Sequence, residues 1–354
     1  YRSINQIQQF QLFKSLNMNN IFLIIKKTTF NTTNIILFLF ITSCFFSRLN
    51  FNFYFFDILS NLGLQLFVSG IILFFILLVS KKLLASIFCF ITCLLLVINI
   101  ASSCDQCNAT LVNKSQTNKN IRLMTFNTGL SEDYKNIHRS ILVENPDVVL
   151  FQEVSLKMHD KLKNLKKDFP YDAGYNQPLE HFSSIIFSKY PLKNNKIIKN
   201  HAVVTNLIFE EKELTIIGIH LFAPLNGIST KIIYELFYKN LSKPPIDPDQ
   251  FKLAKKQMEY LKNLIGNSNK DLILMGDLNM TTTSKRFTNF LKETNLYTYN
   301  SYKNLTPTWP TYVPSFLGIQ IDHVLFTKNF KVLGKKVTNH FGSDHRPLIV
   351  DLVF

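Results

Sequence analysis

The sequence predicts an α/β (α+β) domain preceded by apolar helices, and three observations predict it. Up to about Ser103 the chain is mostly Phe, Ile, Leu and Asn with few charges, whereas from about Asn120 it is an ordinary mixture of charged, polar and apolar residues. Beyond Asn120, short apolar runs of strand length alternate with amphipathic helical stretches and long loops, the pattern of a layered domain. Polar groups also stand at the carboxyl ends of those apolar runs, where a rigid scaffold can aim them.

The boundaries follow from composition: a membrane region over 1–103, a polar linker over 104–120 and a domain of mixed composition over 121–354. Leu62 to Val79 and Leu83 to Ala101 have about the length that a bilayer requires, with Lys81 and Lys82 in a tight turn between them. Asn34 to Phe46 is a shorter third candidate, and the aromatic stretch from Phe51 to Leu66 has an interfacial character. Basic residues precede the first span and mark the Lys81–Lys82 turn, and Arg48 is offset by Asp57 in the loop between. With three spans, this pattern predicts a multi-pass membrane protein with everything after Ala101 outside the cytoplasm.

The net charge of +15 suits a polyanionic substrate or an anionic membrane surface, although a general bias toward Lys, Asn, Ile and Phe accounts for it equally well. All five cysteines precede the catalytic domain, so thiol catalysis is excluded. Cys104 and Cys107 form a lone C-x-x-C without the second pair a zinc site needs, and the sequence leaves open whether the two are oxidised to a disulfide outside the cytoplasm.

In order, Ile121 to Asn127 reads as a strand ending on an amide, and Ser131 to Glu144 as a helix capped by Ser131. Asp147 to Gln152 is a buried strand with Glu153 at its tip, and Val154 to Asp168 an amphipathic, lysine-rich helix. Ser183 to Phe187, Val203 to Phe209 and Glu213 to His220 are strands, the last ending on histidine. Asp249 to Ile265 is a long helix, and Asp271 to Gly276 a buried strand that runs straight into Asp277 and Asn279. Lys285 to Thr294 is a helix, Ile319 to Phe326 holds Asp322, and Leu348 to Phe354 closes the chain as a strand just after Asp344 and His345. One such polar ending is explained by a turn or a helix cap. Eight of them, at Asn127, Glu153, His220, Asp277, Asn279, Asp322, Asp344 and His345, point to one assembled site.

The blocks FNT, DVVLFQEV, SSIIFSKYPL, GIHLFAP, LILMGDLNM, IDHVLF and GSDHRPLIVDL, in this order, resemble those of the endonuclease/exonuclease/phosphatase superfamily from Ile121 to Phe354. The segment FYFFDILSNLGLQL resembles the membrane-anchored bacterial branch of that group. The resemblance implies a DNase I-like four-layer sandwich, two packed β-sheets flanked by helices. It also implies hydrolysis of phosphodiester or phosphomonoester bonds with Mg2+, or alternatively Mn2+. Glu153 and Asp344 are hard oxygen ligands for such a cation, and Asn127 adds an amide oxygen.

By the same resemblance His345 faces the phosphate, backed by Asp322. Asp277 orients or deprotonates the attacking water, and Asn279 binds a phosphate oxygen. His220 matches a second histidine that pairs with a carboxylate in the deoxyribonuclease; no residue in a matching motif supplies that carboxylate here, although Glu180 is near in sequence. His323 is expected on the opposite side of its strand from Asp322, and Trp309 is expected to pack beneath the site. The substrate is a phosphate ester, nucleic acid or phospholipid. The N-terminal helices meet a lipid bilayer, and no protein partner is evident. A nuclease-type phosphohydrolase is the leading expectation; a sphingomyelinase-type lipid phosphodiesterase and a non-catalytic binding module on the same scaffold are the alternatives.

Overall fold

The computed structural model describes residues 18–48, 54–101, 104–112, 120–175, 183–198, 202–223, 248–266, 268, 270–299 and 306–354. The chain divides into two compact units. One comprises residues 1–49 and 63–99; the other comprises 50–62 and 100–354.

The first unit holds α1 (Met18–Ser47). Helix α2 (Tyr54–Asn61) belongs to the second unit. The chain then returns to the first with α3 (Gly63–Val79) and α4 (Leu83–Ala101). Helices α1, α3 and α4 meet at Gly70, where a Cβ would lie 2.3 Å from Phe40 Cζ and 2.4 Å from Cys93 Sγ. The close approach leaves room for glycine alone. Arg48 Nε donates to Asn99 Oδ1 at 2.8 Å, and Lys82 Nζ donates to Thr33 Oγ1.

Helix α4 is long and apolar enough to cross a bilayer, with 19 residues and a mean hydropathy of 2.7. The other two expected spans fall short by this measure: the apolar part of α1 is Thr32–Ser47, and α3 is 17 residues. At 1.5 Å per residue α3 spans roughly 25 Å against a hydrocarbon core of about 30 Å. It begins late because α2 stops at Asn61, where Leu62 N turns back to Leu59 O at 3.2 Å. The linker expected over 104–120 is described in part: Cys104 and Cys107 are joined in a disulfide, and both are buried in the core of the second unit. Residues 113–119 lie outside the described set.

The second unit continues with β1 (Asn120–Asn127), α5 (Tyr134–Glu144), β2 (Val148–Gln152), α6 (Leu156–Leu162), β3 (Tyr171–Gly174), β4 (Ser184–Ser188), β5 (Leu192–Ile198), β6 (Ala202–Phe209) and β7 (Lys212–His220). There follow α7 (Pro248–Gly266), β8 (Leu272–Asp277), α8 (Lys285–Thr294), β9 (Asp322–Phe326), β10 (Lys331–Val337) and β11 (Leu348–Val353). Helix α5 starts later than expected, because Asp133 rather than Ser131 accepts from the Asn136 amide. Ser131 Oγ instead accepts from Asp133 N and donates to Phe341 O.

Six strands form one sheet in the order β10-β11-β1-β2-β4-β3, and five form the other in the order β5-β6-β7-β8-β9. Each sheet contains one parallel pair, β1–β2 and β7–β8, and the remaining pairs are antiparallel. A parallel pair needs a crossover, which α5 and α7 supply.

The expected sandwich of two sheets flanked by helices is what the chain forms. Side chains alternate faces along a strand. Ile121, Leu123, Val148, Leu150, Leu214, Ile216, Ile273, Met275, Val324 and Phe326 turn inward to one core between the sheets. Met124, Phe126, Val149 and Phe151 turn outward beneath α5 and α6, and Ile217, Ile219, Leu272 and Leu274 outward beneath α7 and α8. Strands buried on both faces carry continuous apolar runs, hence IRLMTF, VVLF and LILM. The sheets approach so closely that a Cβ on Gly218 would lie 2.6 Å from Leu150 Cδ1.

Candidate active site

The inward rows of the two central parallel pairs do not stay apolar to their ends. Continuing the alternation puts Asn127 on the row of Ile121 and Leu123, His220 on that of Leu214 and Ile216, and Asp277 on that of Ile273 and Met275. Asp322 begins the row of Val324 and Phe326. Strand register aligns them: Asp277 is paired with His220 on one side and with Asp322 on the other, and Asn127 is paired with Gln152. The site is therefore the polar end of the inter-sheet core.

Contacts cross from one sheet to the other. Asn127 Nδ2 donates to Glu153 Oε1 at 3.0 Å and to Asp277 Oδ2 at 3.1 Å. His220 Nε2 lies 3.5 Å from Glu153 Oε1 and 3.7 Å from Asp277 Oδ2. These are the carboxylates that the sequence did not provide for His220; Glu180 lies outside the described residues. His345 Nδ1 is 2.9 Å from Asp322 Oδ2, and its Nε2 is 3.7 Å from Asp277 Oδ2.

Asn279 is held rather than free: its backbone N donates to Asp277 Oδ1 at 2.8 Å and its side-chain amide to Leu221 O at 2.8 Å. Asp344 accepts from Trp309 Nε1 at 3.1 Å, so the tryptophan expected to pack beneath the site also holds a candidate ligand. The chain brings all eight expected positions to the same end of the sandwich.

The backbone is tense at two of them. Glu153 and Asn279 have positive φ, 50° and 51°, a conformation that costs a non-glycine residue of the order of 1 kcal/mol and persists only where surroundings enforce it. Gly276 precedes Asp277 with φ 140°, and a Cβ there would fall 1.9 Å from Ile219 O. No other residue fits between β7 and β8 at that point.

The family model described as endonuclease/exonuclease/phosphatase matches residues 124–345. The chain belongs to this family. No curated protein matches it. Among solved structures, SmcL aligns over 66% of this chain and 99% of its own, at 17% identity and a TM-score of 0.50. A humanized D. rerio TDP2 with 14 mutations aligns over 66% and 99%, at 13% identity and a TM-score of 0.50. A beta toxin variant from Staphylococcus aureus with bound magnesium ions covers 66% and 99%, at 18% identity and a TM-score of 0.47. Membership of the endonuclease/exonuclease/phosphatase family identifies the chain as a metal-dependent phosphoric ester hydrolase.

The electrostatics of the candidate site follow from burial. Burial, with Asp322 beside it, pushes the Asp277 carboxyl up to about 6, against the pull of His345 and His220. Burial would by itself strip His345 of its proton. Asp322, through charge and hydrogen bond, and Asp277 and Asp344 behind it, override that and raise the imidazole to about 10. His323, on the outward face of β9, sits against Phe287 and donates through Nε2 to Met280 O at 2.8 Å, the expected opposite side. Burial lowers it to about 4.

Among the described residues, the tightest group of metal-capable atoms is Asp277, Asp322 and His345, within 4.8 Å of one another. We favour Glu153, Asp344 and Asn127 for a cation instead. His345 Nδ1 is committed to Asp322 and the ring is held protonated, which repels a dication, whereas a hard cation prefers carboxylate and amide oxygens. The donors fit: Asn127 already sits between the Glu153 and Asp277 carboxylates, and Gly129 closes over Asp344, where a Cβ would lie 2.6 Å from Asp344 Oδ1. Asn127 Oδ1 accepts from Gly129 N at 2.9 Å; half a turn of the amide would exchange its oxygen and nitrogen.

Three supporting residues, Gln257, Thr308 and Ser343, are not among the eight candidates, although Ser343 lies within the GSDHRPLIVDL block. Gln257 Nε2 donates to His220 O at 3.0 Å, and its Oε1 accepts from Phe222 N at 2.9 Å, fixing the end of β7. Thr308 Oγ1 accepts from the amides of Ile321 and Asp322. Ser343 Oγ donates to Asn127 O and accepts from His345 N, tying the C-terminal turn to β1.

Proposed function

We propose that the chain is a membrane-anchored, Mg2+-dependent phosphohydrolase of the nuclease type, cleaving phosphodiester bonds by attack of water. The observation that carries it is Asp277, buried and flanked at 3.7 Å by the Nε2 atoms of both His220 and His345. Asp277 is the base that orients the water and takes its proton. His345, kept cationic by Asp322, donates to a phosphoryl oxygen as negative charge builds on it. His220 hands a proton to the leaving oxygen, and the Asn279 amide steadies a phosphate oxygen. Glu153, Asp344 and Asn127 would hold a Mg2+ ion, which would supply compensating charge to the phosphoryl group.

The anchor reading is supported by α4 and by its outward face, where Leu84, Phe88 and Leu95 are exposed although large and apolar. Three spans with the catalytic domain outside the cytoplasm fit the basic residue pattern. The bonded Cys104–Cys107 pair suits an oxidising compartment.

A second reading, a lipid phosphodiesterase, is favoured by one feature. Tyr312, Phe316 and Leu317 are 50%, 69% and 51% exposed on the stretch that Thr311 ties to the Asp344 carbonyl. A panel of plasmid DNA, RNA, sphingomyelin and phosphoinositides, offered to the full chain in detergent with Mg2+, separates the readings. Turnover of nucleic acid supports the first reading, selective turnover of lipid the second, and no turnover of any of them refutes both.

A further inference from the structure

Helix α2 lies in sequence between apolar helices, yet it is part of the catalytic unit. Its polar residues are spent on one partner, the segment that follows the catalytic strand β8. Asn61 Oδ1 accepts from Thr281 N at 2.7 Å, and Thr281 Oγ1 donates to Asn61 O at 3.1 Å. Thr283 Oγ1 donates to Ser60 O at 2.8 Å. Asp57 Oδ2 lies 3.2 Å from Arg286 Nη2 in the first turn of α8, both side chains being largely buried, and Asp57 Oδ1 accepts from Ser284 Oγ at 3.5 Å. The stretch expected to be interfacial thus docks on the 281–286 segment through its polar face.

The segment so gripped is short and taut. Thr281 is two residues beyond Asn279, which holds a left-handed backbone and bonds Asp277 and Leu221. Met280, between them, accepts from His323 on β9. Among the described residues, the acceptor of the Thr281 amide is Asn61 Oδ1. A buried amide left without a partner loses its solvation without replacement, which favours another conformation of a strained loop.

We propose that α2 is a positioning element of the active site: Asp57 and Asn61 hold the 278–284 loop so that Asn279 and Asp277 keep their geometry. The catalytic consequence rests on the phosphohydrolase reading above; the docking does not. Displacement of reacting groups by about 1 Å can cost around 10²-fold in rate.

The test uses the full chain in detergent, with Asn61→Ala, which removes the acceptor, and Asn61→Asp, which keeps one. Thr281→Val, nearly isosteric, serves if Asn61→Ala does not fold. The measurements are kcat and KM for bis-p-nitrophenyl phosphate with Mg2+, and amide exchange of the peptide spanning 278–284. Asn61→Ala should lower kcat roughly 10- to 100-fold with KM unchanged and speed exchange in that peptide alone, while Asn61→Asp behaves as the wild type. Thr281→Val should move kcat in the same direction. Wild-type kcat and exchange in Asn61→Ala overturn the proposal, as does accelerated exchange spread over the whole domain. A wild type inactive on every ester, with the exchange difference intact, supports the brace and refutes the catalytic reading.

Discussion

His345 and Asp322 form a buried pair, Nδ1 to Oδ2 2.9 Å, although 23 residues separate them and they come from different elements. Asp322 is placed by its register opposite Asp277, and His345 by the turn that Ser343 ties to β1. The carboxylate accepts from Nδ1 and keeps the ring cationic, so Nε2 carries a hydrogen as well and can donate it. His345→Ala should lower turnover at least ~10²-fold with folding intact. Asp322→Asn should also lower turnover, because the amide no longer stabilises the cationic ring. Steady-state kinetics with circular dichroism as the folding control decide it, and near-wild-type rates in both would remove the pair from the mechanism.

Asp277 predicts the acid limb of the pH profile. Its carboxyl is raised to about 6, and a base works only when deprotonated. Activity should therefore fall as pH drops through about 6, not through the usual carboxylate range near 4. Asp277→Asn should cost at least ~10² in kcat. A kcat that stays flat down to pH 4.5 would show that another group takes the proton.

Glu153 is the ligand whose loss should read out on the metal. Its carboxylate faces Asn127 and His220 from a strained position at the tip of β2. Glu153→Gln keeps the shape and removes the charge, so half-maximal activity should need at least roughly tenfold more Mg2+. Titration of rate against Mg2+ checks this, and an unchanged midpoint would move the cation to other ligands.

His323 makes stability pH-dependent. Its ordinary value of 6.5 falls to about 4 in the folded chain because it is buried. Above about 6.5 both states are neutral and pH has no leverage. Between 6.5 and 4 the unfolded chain takes up a proton that the folded chain refuses, so stability is lost as pH falls, by up to about 3 kcal/mol. Denaturation at pH 7 and pH 4.5 should show this loss, and His323→Gln should shrink it. Equal pH dependence in wild type and variant would contradict the assignment.

The strand ends were legible because two independent patterns coincide there. Continuous apolar runs mark strands buried on both faces, and polar residues that continue the inward rows of β1, β7 and β8 have nowhere to go but the mouth of the core. The edges were not legible. β5, LKNNKII, is mostly exposed, and β10, KVLGKKV, carries an irregularity between Val332 and Gly334, so neither shows an apolar run or a clean alternation. β3 is only four residues. The roles of Gln257, Thr308 and Ser343 depend on partners 13 to 216 residues away, and no local pattern encodes such a pairing. Nor does any local pattern show that Asp57 and Asn61 serve β8, because an aromatic segment between apolar helices reads as interfacial until its hydrogen bonds are seen.

The central claim is that separate strand ends assemble a cation-dependent phosphoester site. Hydrolysis of bis-p-nitrophenyl phosphate by the full chain in detergent tests it most directly, measured with Mg2+, after EDTA, and after Mg2+ is restored. The account predicts turnover that EDTA abolishes and Mg2+ restores; turnover indifferent to chelation would contradict it.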